Sequence, residues 1–234
     1  MAIPTLSSSN FRGSLGISQD NFGGLDYYIN EFYSNADSSD NYIRVFIGEE
    51  ALRQIEVSSL AKWSDLMLGA SYEDREGVLC YFGGVQAMCK NVVFFMYVRD
   101  DYTPASTGFV QNMNENGNRL DSQKVYQKAA MSYNRAIRTN NKQLLEFLEY
   151  YTDYEGSILG TVDNGGDSWT IQTDATLYLA EGDTVTISGT DYVISNLVEN
   201  VSFDITSTET SFPAVYTYSP FDQVVSSCKE YIVV

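Results

Sequence analysis

The sequence predicts an α+β protein: an N-terminal helical bundle followed by a small C-terminal β-barrel module. Apolar residues recur at helical spacing from about residue 25 to residue 151, then switch to period two after Tyr154-Glu155-Gly156. The charge balance changes at the same place. Residues 1–152 carry 18 acids and 13 bases, whereas residues 153–234 carry 13 acids and one base, Lys229. A chain of 234 residues buries roughly 70% of its unfolded surface and needs no staples to fold. The expected organisation is an extended arm over 1–17, a helical domain over 18–155, a barrel over 156–219 and a tail over 220–234.

Residues 1–17 are rich in Ser, Asn and Gly and lack periodicity, so they read as a frayed terminus or as an arm lying on a neighbouring subunit. Leu25, Tyr28, Ile29 and Phe32 then fall at helical spacing. Asp40 is a candidate N-cap for a helix through Ile43, Phe46, Ile47, Leu52 and Ile55. Ser58 or Ser59 would cap a short helix through Leu60, Trp63 and Met67, ended by Gly69. After Gly83-Gly84 a helix through Val85, Met88, Cys89, Val92, Val93, Phe95, Met96 and Tyr97 is apolar on most faces, which predicts the central core helix. It should stop before Pro104. Residues 103–119 form a long polar loop, either solvated or ordered against a partner. A long helix is expected over about 121–151. Val125, Ala129, Met131 or Ser132, Ala136, Leu144, Leu145 and Leu148 would line one side. Lys124, Lys128, Arg135, Arg138 and Lys142 would decorate the other. That basic stripe is either a solvated face or a surface that meets the acidic C-terminal region of a neighbouring copy.

Short strands are expected at 158–162, 169–173, 177–179, 184–188, 192–195, 201–206 and 214–218, with turns at Asn164-Gly165-Gly166 and Gly189-Thr190. Their spacing of roughly ten residues predicts a small barrel. Residues 222–234 fit a short helix or a closing strand equally well.

Composition narrows the function. Net charge is −17 and pI about 4.2, so the chain is repelled by phosphate backbones and is not expected to bind DNA in the ordinary way. Cys80, Cys89 and Cys228 are odd in number and form no CxxC, which points to small buried hydrophobes in a reducing cytosol. The first residues lack the pattern of a secretory signal, and the apolar run Val92–Val98 is too short to span a bilayer. Histidine is absent, which removes triad catalysis and His-based metal sites. No phosphate-cradling glycine motif occurs. Asp100-Asp101 and Glu73-Asp74 are acidic clusters without the cleft spacing of a catalytic pair. Asp163-Asn164-Gly165-Gly166-Asp167 reads as a hairpin turn, since the terminal Glu of a calcium loop is missing. No catalytic, metal or cofactor residue is therefore expected. The 18 Tyr residues, with an apolar body and a polar tip, lean toward protein–protein contact.

Three features in the segment Cys80–Tyr151 occur in a characteristic order. Val93-Phe94-Phe95-Met96-Tyr97-Val98-Arg99-Asp100-Asp101 comes first. A Thr/Asn/Gly loop with Thr107-Gly108 and Asn114-Glu115-Asn116 follows, then a long helix ending in an aromatic-acidic run. This order resembles the head-to-tail connector (adaptor) proteins of tailed phages, in particular ring proteins of crAss-like and other Bacteroides-type phages. Leu179-Ala180-Glu181-Gly182-Asp183-Thr184-Val185 and Gly189-Thr190-Asp191-Tyr192-Val193 are similar to small barrel modules of virion proteins. The compact adaptors lack such a module. The resemblance implies a structural virion protein made in the host cytoplasm. It would form a homo-oligomeric ring, of twelve subunits as in the family, between portal and tail proteins, with genomic DNA only passing through its channel and no membrane contact. The residues expected at partner interfaces are Phe11, Arg12, Thr107, Phe109, Asn114, Asn116, Lys124, Lys128, Arg135 and Tyr231. Alternative readings are another neck, tail or baseplate protein, or a bacterial carbohydrate-binding surface module. An enzyme using paired carboxylates would require a cleft.

Overall fold

The computed structural model describes residues 3–11, 22–57, 61–74, 76–102, 122–173, 176, 178–199 and 201–226. It is a mixed helix-and-sheet protein. Two compact units divide it: Met1–Ser59 with Trp63–Glu146 and Gln223–Val234, and Leu60–Lys62 with Phe147–Asp222.

In chain order the helices are α1 (Phe22–Ile29), continued by a π-helical turn Asn30–Ser34, then α2 (Tyr42–Ile47), α3 (Glu49–Val57), α4 (Ala61–Leu68), α5 (Val85–Tyr102), α6 (Ser122–Arg135), a π-helical segment Ala136–Asn140 and α7 (Asn141–Tyr150). Helix α5 organises the first unit. Val85, Met88, Cys89, Val92, Val93 and every residue from Phe94 to Val98 are buried. From Val92 to Val98 the helix is apolar on every side and is covered on every side, while Gln86, Lys90 and Asn91 before that stretch are only half-buried. Phe95 packs on Tyr133 of α6 at a ring separation of 5.0 Å, and Tyr97 meets Tyr28 of α1 edge-on at 5.7 Å.

The expected single helix from 43 to 55 is two. Gly48, at φ +88°, turns the chain between α2 and α3. The N-cap of α2 is Asn41 and not Asp40: its side-chain oxygen accepts from the Ile43 amide at 2.9 Å. The same fully buried side chain donates to the carbonyls of Tyr33 at 2.8 Å and Asn35 at 2.9 Å. One amide thus joins the end of the π-helical turn to the start of α2. Ser58 and Ser59 lie outside the described residues; α4 ends at Gly69 as expected.

Residues 3–11 were expected within an extended arm, yet they are tied to their own unit. Leu6 and Phe11 are buried, the Tyr33 hydroxyl donates to the Pro4 carbonyl at 2.6 Å, and the Gln86 amide donates to the Thr5 carbonyl at 3.1 Å. The sequence reading also omits a hairpin between α4 and α5, β1 (Ala70–Glu73) with β2 (Leu79–Phe82), paired antiparallel. Asp74 builds its turn by accepting from the amides of Glu76 and Val78, each at 2.9 Å.

The expected long helix over 121–151 is interrupted by the π-helical segment. Ala129, Ala130, Tyr133, Ala136, Ile137, Leu144 and Phe147 are buried, while Met131 and Leu145 point outward at 68% and 50% exposure. Met131 falls two residues after Ala129 and Leu145 one after Leu144, so each stands off the buried face, on either side of the π-helical segment.

The second unit is a nearly closed seven-stranded antiparallel sheet. Its strands are β3 (Tyr154–Gly165), β4 (Ser168–Thr173), β5 (Thr184–Ile187), β6 (Thr190–Val193), β7 (Ser195–Val198), β8 (Ser202–Thr206) and β9 (Val215–Tyr218), in the order β6-β5-β9-β3-β4-β8-β7. Strand β3 pairs β9 through Tyr154–Ser157 and β4 through Ile158–Gly165. Residues 163–168 make the tight turn that the glycines predict. Of the expected strand at 177–179, Leu177 lies outside the described residues, Tyr178 sits in a turn at φ +64° and Leu179 is in no strand. The expected strand at 192–195 is instead two edge strands, joined by Ile194. The interior is filled by Ile171, Leu179, Val185, Ile187, Ile194, Phe203, Ile205, Tyr216 and Tyr218. A Cβ on Gly156 would stand 2.2 Å from the Tyr216 ring, so this position of β3 must be glycine for the ring to cross it.

Asn41→Ala should lower stability by about 1–3 kcal/mol in chemical denaturation, because it removes a cap and the buried hydrogen bonds to the Tyr33 and Asn35 carbonyls. Gly156→Ala should cost about 1–3 kcal/mol through overpacking on Tyr216. Gly160→Ala should stay within about 0.5 kcal/mol of the parent, since its Cβ meets only the exposed, flexible Gln172 side chain.

Candidate functional site

Three surfaces carry the chemistry available for recognition. The first is the exposed face of α6 and α7. Lys128, Met131, Arg135, Arg138, Lys142 and Leu145 are all exposed on it. Lys142 pairs with Glu146 at 3.2 Å, an i,i+4 contact of small energetic weight. Lys128 and Arg135 form no ion pair among the described residues. The face thus offers cations interleaved with apolar side chains, in a chain whose net charge is −17.

The second surface is the outer face of the β1–β2 hairpin. The register sets Ser71 opposite Tyr81 and Glu73 opposite Leu79. Leu79 is 73% and Tyr81 61% exposed. Tyr72 and Phe82 point to the opposite, buried face, where the Tyr72 hydroxyl donates to the Glu146 carboxylate at 3.3 Å. Burial beside that carboxylate pushes the Tyr72 phenol up to about 12.

The third surface belongs to the barrel unit. Its residues include 13 acids and a single base, Lys62. Lys62 is buried at 2% exposure, and its ammonium stands 3.6 Å from the Asp183 carboxylate. A lysine is rarely so buried without an anionic partner. Asp183 Oδ2 also accepts from the Ala180 amide at 2.9 Å, which holds the carboxylate in place. Beside this pair opens a cleft of about 300 Å³, lined by Lys62, Tyr178, Leu179, Leu197, Glu181 and Glu199 among others. The two glutamates are exposed, and the Leu197 amide donates to Glu181 at 3.3 Å. Other acids of the unit are committed to local structure. Asp204 accepts from Thr170 at 2.5 Å and from Asn196 at 2.9 Å, and Asp191 accepts from Thr186 at 2.7 Å.

The structure separates the expected interface residues. Lys128 and Arg135 are exposed on the cationic face. Phe11 is not available to a partner, because it is fully buried in its own unit, where a large aromatic gains most from leaving water. Arg12, Thr107, Phe109, Asn114, Asn116 and Tyr231, and the side chain of Lys124, lie outside the described residues. Cys89 is buried and Cys80 half-buried, and neither forms a disulfide among the described residues; Cys228 lies outside the described residues. Among the described residues no group of three His, Cys, Asp or Glu is placed to hold a metal, and no helix is long and apolar enough to cross a membrane. Sequence reasoning missed Lys62, Glu181 and Glu199, because Lys62 precedes the barrel strands by some ninety residues. It also missed Leu79 and Tyr81, although the short apolar run Val78–Phe82 between the glycines Gly77 and Gly83 fits a strand. Compared with known proteins, the chain matches no protein-family model, and no curated protein matches it.

Lys62→Met should lower stability by about 1–3 kcal/mol, less than the loss of a wholly buried pair because Asp183 keeps 25% exposure. Adding Asp183→Asn should restore most of that loss. Thermal denaturation of the single and double variants measures the coupling.

Proposed function

We propose that this chain is a structural, self-assembling virion protein: a subunit of a head-to-tail connector ring, with an adaptor-like helical bundle over 18–155 and the barrel as an added module. One observation carries the reading. A single chain displays two unlike, electrostatically complementary surfaces, the cationic face of Lys128, Arg135, Arg138 and Lys142 and a barrel unit whose only base is buried. Unlike complementary patches make heterologous contacts, and heterologous contacts with a closing rotation make rings. Opposite charge sets register and suppresses wrong partners. The apolar Met131 and Leu145 among the cations supply area for burial, and the Leu79–Tyr81 hairpin face supplies a further contact for a portal, tail or ring protein.

The resemblance of the Cys80–Tyr151 segment to phage connectors supplies the context: twelve subunits, a portal on one side and tail proteins on the other. The acidic balance suits that place. A channel wall that repels phosphate lets genomic DNA pass without sticking.

Light scattering on the purified full chain, with negative-stain images of the same sample, should show a ring of about a dozen subunits with a central hole. Adding the cognate portal should close the ring if the chain alone stays monomeric. A monomer in both conditions, or a channel lined by Lys and Arg, overturns the reading.

A further inference from the structure

We propose that the barrel cleft is the receptor for helix α6 of a second copy of this chain, with Met131 entering the cleft and Lys128 and Arg135 reaching its glutamate rim. The inference deepens the self-assembly reading and rests on it.

The cleft selects for its occupant. Its volume is about 300 Å³, and Tyr178, Leu179 and Leu197 give it apolar walls. That combination takes an apolar side chain, or the aliphatic stem of a long one. Its charged groups then discriminate. The cation in the lining, Lys62, is matched by Asp183, while Glu181 and Glu199 stand exposed. An anionic or neutral occupant leaves two carboxylates to be desolvated without a counter-ion, which is unfavourable. A cation flanking an apolar knob satisfies both requirements.

The same chain carries that element. Met131 lies three residues after Lys128 and four before Arg135, so all three share one face of α6. Met131 is 68% exposed, and the two cations have no ion-pair partner among the described residues. Methionine adapts its shape to an irregular pocket, which suits it as the central knob. The contact is head-to-tail by construction, since the donor face and the receptor cleft differ.

A charge-exchange experiment on the full chain tests this. One variant carries Lys128→Glu with Arg135→Glu, the other Glu181→Lys with Glu199→Lys. All four positions are exposed, and circular dichroism checks that each variant is folded. Each variant alone should lose self-association by at least about tenfold at low salt, measured by light scattering. Mixed in equal amounts, the two should assemble again, because each helix face then meets a cleft of opposite charge in the other variant. The isosteric pair Glu181→Gln with Glu199→Gln should weaken assembly without inverting it. If the parent chain assembles and the reversed variants assemble equally well, the cleft is not the receptor, although self-assembly stands. Loss of assembly that mixing does not restore also overturns the pairing. A parent chain that stays monomeric at low salt, with and without portal, overturns the pairing together with the ring.

Discussion

The Val92–Val98 stretch of helix α5 has no face open to water, and the helical unit is built on that constraint. From Val92 to Val98 every side chain is buried. Such a helix is stable only as the centre of something, so the elements around it are recruited by area and not by any single directional bond. The aromatic contacts of Phe95 with Tyr133 and of Tyr97 with Tyr28 show how the neighbours are matched to it. Polar groups that the packing draws inside are then satisfied locally. Asn41 is the clearest case, with each end of its amide engaged.

The barrel unit answers a different problem, that of sheet edges. Strands β6 and β7 lie at opposite ends of the seven-strand order, yet only Ile194 separates them in the chain. One short segment therefore supplies both edges, and the sheet curls until they approach. Ile194 is buried, donates to the Asp183 carbonyl at 3.0 Å and accepts from the Gly182 amide at 3.0 Å. The joint is thus anchored to the turn before β5. Curling in this way limits the open strand edge that would otherwise recruit other chains without selectivity.

Charge is segregated to a degree that the folding of either unit does not require. No Lys or Arg occurs between Lys142 and Lys229. Several acids of the barrel serve turns and cross-strand hydrogen bonds, but local structure does not call for the exclusion of bases. Exposed charges interact over about 10 Å at moderate salt, so a cationic face and an acidic unit on separate copies attract before they touch. That attraction is strongest at low ionic strength and weakens as salt rises.

Local periodicity determined the element types of this protein. The mostly apolar α5, the amphipathic α6 and the period-two strands after Tyr154 were legible because side-chain spacing reports directly on how a helix or strand is buried. The stop at Gly69 and the tight turn at Gly165-Gly166 were legible because glycine reaches positive φ without strain. Other features depend on residues distant in sequence, and only the tertiary structure decided them. Phe11 reads as part of a polar arm until its burial is seen. Leu145, and Met131 as the alternative to Ser132, read as core until their exposure is seen. Lys62 stands far from the strands in sequence, and the fold makes it the buried counter-ion of Asp183 beside a cleft. Burial and charge pairing are properties of neighbourhoods in space, and a linear sequence records those neighbourhoods only where they repeat within a few residues.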